Sequence, residues 1–172
     1  METNKSTIIS VIATVVVVIG GMFWLGMSSA GSRATLVPEK TSTEGSALRS
    51  AESAFDFGTI SMKDGNVETV FTVTNSTSTD ITVSKVTTSC MCTQAYVEGP
   101  TEKKGPFGME GMGLRNSSIS QTLKPGESID VRVIYDPNAH GPAGVGNINR
   151  AVFIQDSGGR TLTLSIKAQV IP

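Results

Sequence analysis

The stretch Leu162-Thr-Leu-Ser-Ile-Lys-Ala-Gln-Val170 decides the fold class, because apolar side chains occupy every second position along it. Side chains of a β-strand point alternately to opposite faces, so this period of two predicts a strand with one buried face. The stretches from Val67 to Val73 and from Ile129 to Tyr135 alternate in the same way. The chain therefore contains several half-buried strands.

Turn-forming residues separate these runs, for example at Asp64-Gly65-Asn66 and Pro125-Gly126, and no amphipathic helical pattern follows Met27. About seven short strands separated by turns predict an all-β, immunoglobulin-like antiparallel β-sandwich over residues 51–172. Its predicted core residues alternate with polar ones; they are Phe55, Phe57, Phe71, Val83, Val131, Val133, Leu164 and Ile166.

The N-terminal region carries no charged residue between Lys5 and Arg33, and its segment from Thr7 to Met27 is almost wholly apolar. A helix of about 20 apolar residues spans a hydrocarbon core of roughly 30 Å. We therefore predict a short cytoplasmic tail at residues 1–6, a transmembrane signal anchor at 7–27 and a polar, Ser/Thr-rich tether at 28–50. The domain at 51–172 would then lie outside the cytoplasm on a single-pass membrane protein.

A cleaved signal peptide is the alternative for the same segment. Ser28-Ser29-Ala30 offers the small residues that a signal peptidase requires, and Lys5 supplies a minimal positive region before the apolar run. Under this interpretation the mature protein is secreted, and both interpretations stay open.

Charge and motif content argue against nucleic-acid binding and against the common enzyme classes. The chain has 14 basic and 15 acidic residues and a formal net charge of −1, which does not favour binding to nucleic acid. It contains no GxSxG, HExxH, P-loop or dinucleotide-binding fingerprint. We therefore expect a binding or structural protein that is not an enzyme.

Cys90-Met91-Cys92 holds the only two cysteines of the chain. A disulfide between them would close a very small, strained ring, and pairing with another chain is a second option. At a turn both thiolates can instead bind one soft metal ion, for which Cu(I) is the best match.

Other ligand types that suit Cu(I) lie in two long stretches that are predicted to be irregular, Gly99 to Ser118 and Pro137 to Asn147. Met109 and Met112 belong to a glycine-rich GMEGMG sequence, and His140 is the only histidine. We predict that Cys90 and Cys92 bind Cu(I), with His140 or the two methionines as further ligands. The alternative is a structural, adhesion or scaffolding module without metal, whose cysteines form a disulfide or contact a protein partner.

An ordered set of short motifs carries a family resemblance: Phe55-Asp-Phe-Gly-Thr-Ile60, Val70-Phe-Thr-Val-Thr-Asn75, Thr88-Ser-Cys-Met-Cys-Thr93, Leu123-Lys-Pro-Gly-Glu127, Ile134-Tyr-Asp-Pro137 and Arg150-Ala-Val-Phe153. With this set, the chain from about Ser53 onward resembles the bacterial domain of unknown function 1573 family, whose Ig-like domains are akin to the ASH/MSP/hydin group. Members typically have glycine at the position of Met91. The resemblance implies an exported or membrane-anchored Ig-like module and brings no settled activity.

Overall fold

The structure is a computed structural model that describes residues 46–99, 102–112 and 117–172. In this part of the chain ten strands form, in chain order β1 (Leu48–Ser50), β2 (Ala54–Ser61), β3 (Val67–Asn75), β4 (Ile81–Thr88), β5 (Thr93–Glu98), β6 (Lys103–Phe107), β7 (Ser118–Leu123), β8 (Ser128–Tyr135), β9 (Gly146–Asp156) and β10 (Thr161–Ile171). Two single 3-10 turns, Met62–Asp64 and Gly141–Gly144, complete the regular structure.

The strands form two five-stranded sheets around one apolar core. The first sheet has the order β1-β3-β8-β5-β6 and the second the order β2-β10-β9-β4-β7. The predicted β-sandwich is therefore confirmed, but with ten strands instead of about seven. One neighbouring pair, β2 with β10, is parallel and departs from the predicted antiparallel arrangement.

Two of the additional strands lie where the sequence predicted irregular chain. β1 falls within the predicted tether at 28–50, yet it pairs with β3 and fully buries Leu48. β6 has the sequence Lys-Lys-Gly-Pro-Phe, and glycine and proline are depleted in strands. Gly105 is required there, since it has a φ of 133° and an added Cβ would lie 2.9 Å from the carbonyl oxygen of Ala95. Short strands of this kind leave no alternating pattern.

The predicted core is correct except at the first strand. Phe71, Val83, Val131, Val133, Leu164 and Ile166 are all buried. The prediction is wrong for Phe55, which is 37% exposed, and Phe57 is only partly buried against the core. The physical reason is that β2 is an edge strand, paired on one side with β10, where the two rings contact each other edge-to-face at 4.9 Å.

A charged cluster on the outer face of the first sheet links three strands. Arg132 of β8 donates from Nε to Glu98 of β5 at 2.9 Å and from Nη1 to Glu68 of β3 at 2.7 Å. The hydrogen bonds from Arg132 and then Lys103 hold the pKa of Glu98 at about 2, well below its usual range. Because the three strands are neighbours, this cluster supports their register.

The predicted tail, transmembrane helix and most of the tether, residues 1–45, lie outside the described residues. Within the described ranges no helix is long and apolar enough to span a membrane. The anchor therefore stays a prediction.

Leu164 provides a test of the core. The side chain is 1% exposed, so Leu164→Ala should lower the free energy of unfolding by ~2–5 kcal/mol through lost burial and a residual cavity. Lys167→Ala on an exposed position of the same strand should change it by less than about 0.5 kcal/mol. Urea unfolding measures both, and equal effects would contradict the assignment of β10 to the core.

Candidate metal centre

The cysteine pair lies in a tight turn between β4 and β5. Because β4 belongs to the second sheet and β5 to the first, this turn carries the chain across one end of the sandwich. The amide of Thr93 donates to the carbonyl oxygen of Cys90 at 3.1 Å and closes the turn. The buried hydroxyl of Thr88 lies 2.9 Å from the same oxygen and 3.1 Å from the carbonyl oxygen of Thr93.

Neighbouring segments hold the turn from both sides. The amide of Ser89 donates to the carbonyl oxygen of Ala151 at 2.9 Å, and the amide of Ala151 donates back to the Ser89 hydroxyl at 2.9 Å. On the other side, the amide of Asp136 donates to the carbonyl oxygen of Cys92 at 2.9 Å. The backbone around the sulfurs is therefore fixed by β9 of one sheet and by the residue that follows β8 of the other.

The two sulfurs form a disulfide, with Cα atoms 5.2 Å apart. Cys90 is 9% and Cys92 2% exposed, whereas Met91 between them is 44% exposed. The amide of Cys92 also donates to Cys90 Sγ at 3.2 Å. Both cysteines of the turn are therefore buried, while Met91 between them faces solvent.

The loop after β8 brings His140 to this pair. Asp136 Oδ1 accepts from the amide of Asn138 at 2.8 Å and starts the loop, while the Asn138 side chain donates to the carbonyl oxygen of Met62 at 2.8 Å. The loop then places His140 Nε2 3.2 Å from Cys90 Sγ. The imidazole is exposed, so it lies at the rim of the buried sulfurs.

Cys90, Cys92 and His140 form the one compact group of potential metal ligands among the Cys, His, Asp and Glu residues that the structure describes. Their ligand atoms all lie within 4.8 Å of one another. Residues separated by up to 50 positions in sequence thus converge at one end of the sandwich. This convergence could not be inferred from the strand patterns.

Arg150 is a site residue that the sequence did not reveal. Its Nε donates to Cys92 Sγ at 3.3 Å, and its Nη1 donates to the carbonyl oxygen of Asn149 at 3.1 Å. Burial raises the pKa of the nearby Tyr135 phenol, and the charge of Arg150 opposes that rise. Arg150 begins one of the motifs that carry the family resemblance, but nothing in the sequence indicated that its side chain contacts a cysteine.

The two predicted methionine ligands lie between β6 and β7. Met109 is 36% and Met112 49% exposed. Glu110 between them forms an ion pair with Lys85 at 2.6 Å. That contact holds the loop against the middle of β4. It does not place either thioether beside the cysteines, so the role of Met109 and Met112 as ligands stays a prediction.

Residues 48–108 match a family described as "Protein of unknown function (DUF1573)". The matched segment covers less than half of the chain, includes both cysteines and ends before His140. The resemblance is thereby confirmed for this segment, while the motifs after it stay a prediction. Among curated proteins, no sequence matches this chain.

Three solved structures are similar in part to this chain. A protein of unknown function from Porphyromonas gingivalis W83 has a TM-score of 0.52 and 15% identity, over 71% of this chain and 46% of its own. The ASH/PapD-like domain 7 of human CEP192 has a TM-score of 0.42 and 19% identity, over 73% and 85%. The CupB2 chaperone of Pseudomonas aeruginosa has a TM-score of 0.39 and 12% identity, over 71% and 55%.

The Porphyromonas protein supports the fold alone, because its identity is low, and this chain spans less than half of its length. The other two similarities have TM-scores below 0.5 and support no conclusion about this chain. Function must therefore be argued from the cysteine turn and its neighbours.

The Thr88 hydroxyl tests how the turn is held. Thr88→Val should lower the free energy of unfolding by about 1–3 kcal/mol, since buried carbonyl oxygens lose a donor. Thr88→Ser keeps the donor and should cost less, about 1 kcal/mol for the lost methyl group. Urea unfolding of the oxidised protein compares the two, and equal losses would show that the hydroxyl does not hold the turn.

Proposed function

We propose that this chain is a membrane-anchored, extracytoplasmic β-sandwich module that binds Cu(I) through Cys90, Cys92 and His140. The observation that carries the proposal is the convergence of the three ligand atoms within 4.8 Å. Two sulfurs and one imidazole nitrogen are a ligand set that suits a soft ion.

Metal binding requires the reduced form of the site. Thiolates are the ligands of a metal ion, so the bond between Cys90 and Cys92 must first be broken. Metal–thiolate bonds are about 2.3 Å long, which separates ligands around one ion by roughly 3.5–4.5 Å. In the oxidised form the two sulfurs are bonded to each other, and Cys90 Sγ lies 3.2 Å from His140 Nε2. Breaking the disulfide must therefore let the sulfurs move apart before they can bind one ion.

The composition of the cluster favours Cu(I) over Zn²⁺. Structural zinc sites use four protein ligands, commonly Cys and His. Within the described residues the group contains three, with no carboxylate among them. Low coordination by sulfur and nitrogen is acceptable to Cu(I), so His140 can complete the site; Met109 and Met112 are the alternative to His140.

A binding role fits the site better than a catalytic one. A cysteine and a histidine resemble a nucleophile–base pair, which usually needs a third group to orient the base. Among the described residues, His140 forms no hydrogen bond to a carboxylate. The proposed location outside the cytoplasm, with residues 7–27 as the anchor, is compatible with a cysteine pair that forms a disulfide when no metal is bound.

The second candidate is a structural or scaffolding module without metal. It is favoured by the disulfide itself, which joins the cysteines and leaves no free thiol in the described residues. In that case the bond would stabilise the turn at the end of the sandwich, and protein partners would bind elsewhere on the surface. The two candidates differ in whether the reduced protein takes up copper.

Copper titration of the full-length protein, reduced and kept anaerobic, separates them. We expect one Cu(I) per chain in competition with a chromogenic chelator, and loss of tight binding in Cys90→Ser because a hydroxyl is a hard ligand. His140→Ala should weaken binding by at least about tenfold without unfolding the domain. Met91→Leu replaces an exposed thioether outside the cluster and should leave the affinity unchanged.

Two results would contradict the copper proposal. The first is no uptake by the reduced wild type, which leaves the structural module as the better interpretation. The second is copper that persists undiminished in a protein with both Cys90→Ser and Cys92→Ser, since the metal would then bind elsewhere.

A further inference from the structure

The two sulfurs of the disulfide have different surroundings. Cys90 is the more exposed at 9%, and its sulfur lies 3.2 Å from the exposed imidazole of His140. Cys92 is 2% exposed, and its sulfur accepts from Arg150 Nε at 3.3 Å and lies 3.7 Å from the Thr93 hydroxyl. Both cysteines are buried, but Cys90 is the more exposed of the two, and Cys92 lies beside a positive charge.

This asymmetry matters for thiol–disulfide exchange. A thiolate opens a disulfide by attacking one sulfur, and the rate depends on access to that sulfur and on how well the other one leaves. The guanidinium of Arg150 is permanently charged and can donate a charge-assisted hydrogen bond to a leaving thiolate. The greater exposure of Cys90 thus favours attack on its sulfur. The positive charge of Arg150 favours Cys92 as the thiolate that leaves.

We propose that the disulfide is a redox-active bond, opened by the dithiol of a partner protein that attacks Cys90. The incoming thiolate forms a bond to Cys90 Sγ, the bond to Cys92 breaks, and its electron pair stays on Cys92 Sγ beside Arg150. The second thiol of the partner then attacks the partner's own sulfur and releases Cys90 as a thiolate. The partner dithiol is oxidised to a disulfide, the Cys90–Cys92 pair is reduced, and the two protons of the dithiol pass to the released thiolates or to solvent.

The inference extends the proposed function, because Cu(I) can bind only to the open dithiol form. A partner that supplies the dithiol would therefore control access of the metal to the site. The two ideas can fail separately, since disulfide opening is measured without metal and copper binding on chemically reduced protein.

The direct test identifies the sulfur that is attacked. Oxidised, metal-free full-length protein is treated with glutathione, a monothiol that has no second thiol to resolve the mixed disulfide, and quenched at short times with acid and N-ethylmaleimide. Tandem mass spectrometry then locates both labels. We expect glutathione on Cys90 and maleimide on Cys92 in at least tenfold excess over the reverse pattern.

Variants of Arg150 test the leaving-group role. With dithiothreitol as the dithiol, Arg150→Gln should slow opening roughly tenfold, as expected for loss of a charge-assisted hydrogen bond. Arg150→Lys should recover part of the rate, and Arg49→Gln on β1 of the other sheet should leave it unchanged.

Glutathione on Cys92, equal labelling of both cysteines, or no opening by either thiol reagent would overturn the proposal. An unchanged rate in Arg150→Gln would overturn the assignment of Arg150. The labelling pattern is read on the wild type, so it remains decisive even if a variant fails to fold.

Discussion

The rest of the structure depends on the hydrogen bonds that hold the crossover between β4 and β5. In four residues the chain must leave one sheet and enter the other at one end of the sandwich. This path is fixed by the Thr88 hydroxyl, by the two hydrogen bonds between Ser89 and Ala151, and by the amide of Asp136. Because these contacts come from both sheets, they also fix how the sheets meet at that end.

That constraint explains why the cysteines converge. A strand rises about 3.3 Å per residue and would hold the two Cα atoms about 6.6 Å apart. The turn brings them to 5.2 Å, with both cysteines buried and Met91 exposed. The loop that follows β8 starts from Asp136, whose amide is bonded to Cys92, so the path that leads to His140 is anchored at the cysteine turn itself. Imidazole and sulfur meet as a consequence of how the crossover is stabilised.

The same residues can form a disulfide or bind copper, but they cannot do both at once. As a disulfide it has no thiolate for a metal, and as a dithiol it presents two soft ligands beside an imidazole. In our account the disulfide and the copper-binding dithiol are therefore two states of the same group of residues. The burial of Cys92 beside Arg150 and the greater exposure of Cys90 determine how the states interconvert.

Much of the fold was predictable from the sequence, because long alternating strands such as β3, β8 and β10 carry a strong pattern. The short strands β1 and β6 were missed, since β1 has only three residues and β6 contains a glycine and a proline. Phe55 was misassigned because alternation identifies a face of a strand but not whether that strand lies at an edge. Of the site, residue types identified the cysteines and His140, whereas Arg150 is defined only by tertiary packing.

X-ray absorption at the copper edge of the reduced, Cu(I)-loaded full-length protein tests the central claim most directly. Our account predicts two sulfur scatterers at about 2.2–2.3 Å and one imidazole nitrogen at about 2.0 Å. A third sulfur in place of the nitrogen would show that a methionine and not His140 completes the site. A first shell that contains only nitrogen and oxygen would contradict the account, because the copper would then lie away from Cys90 and Cys92.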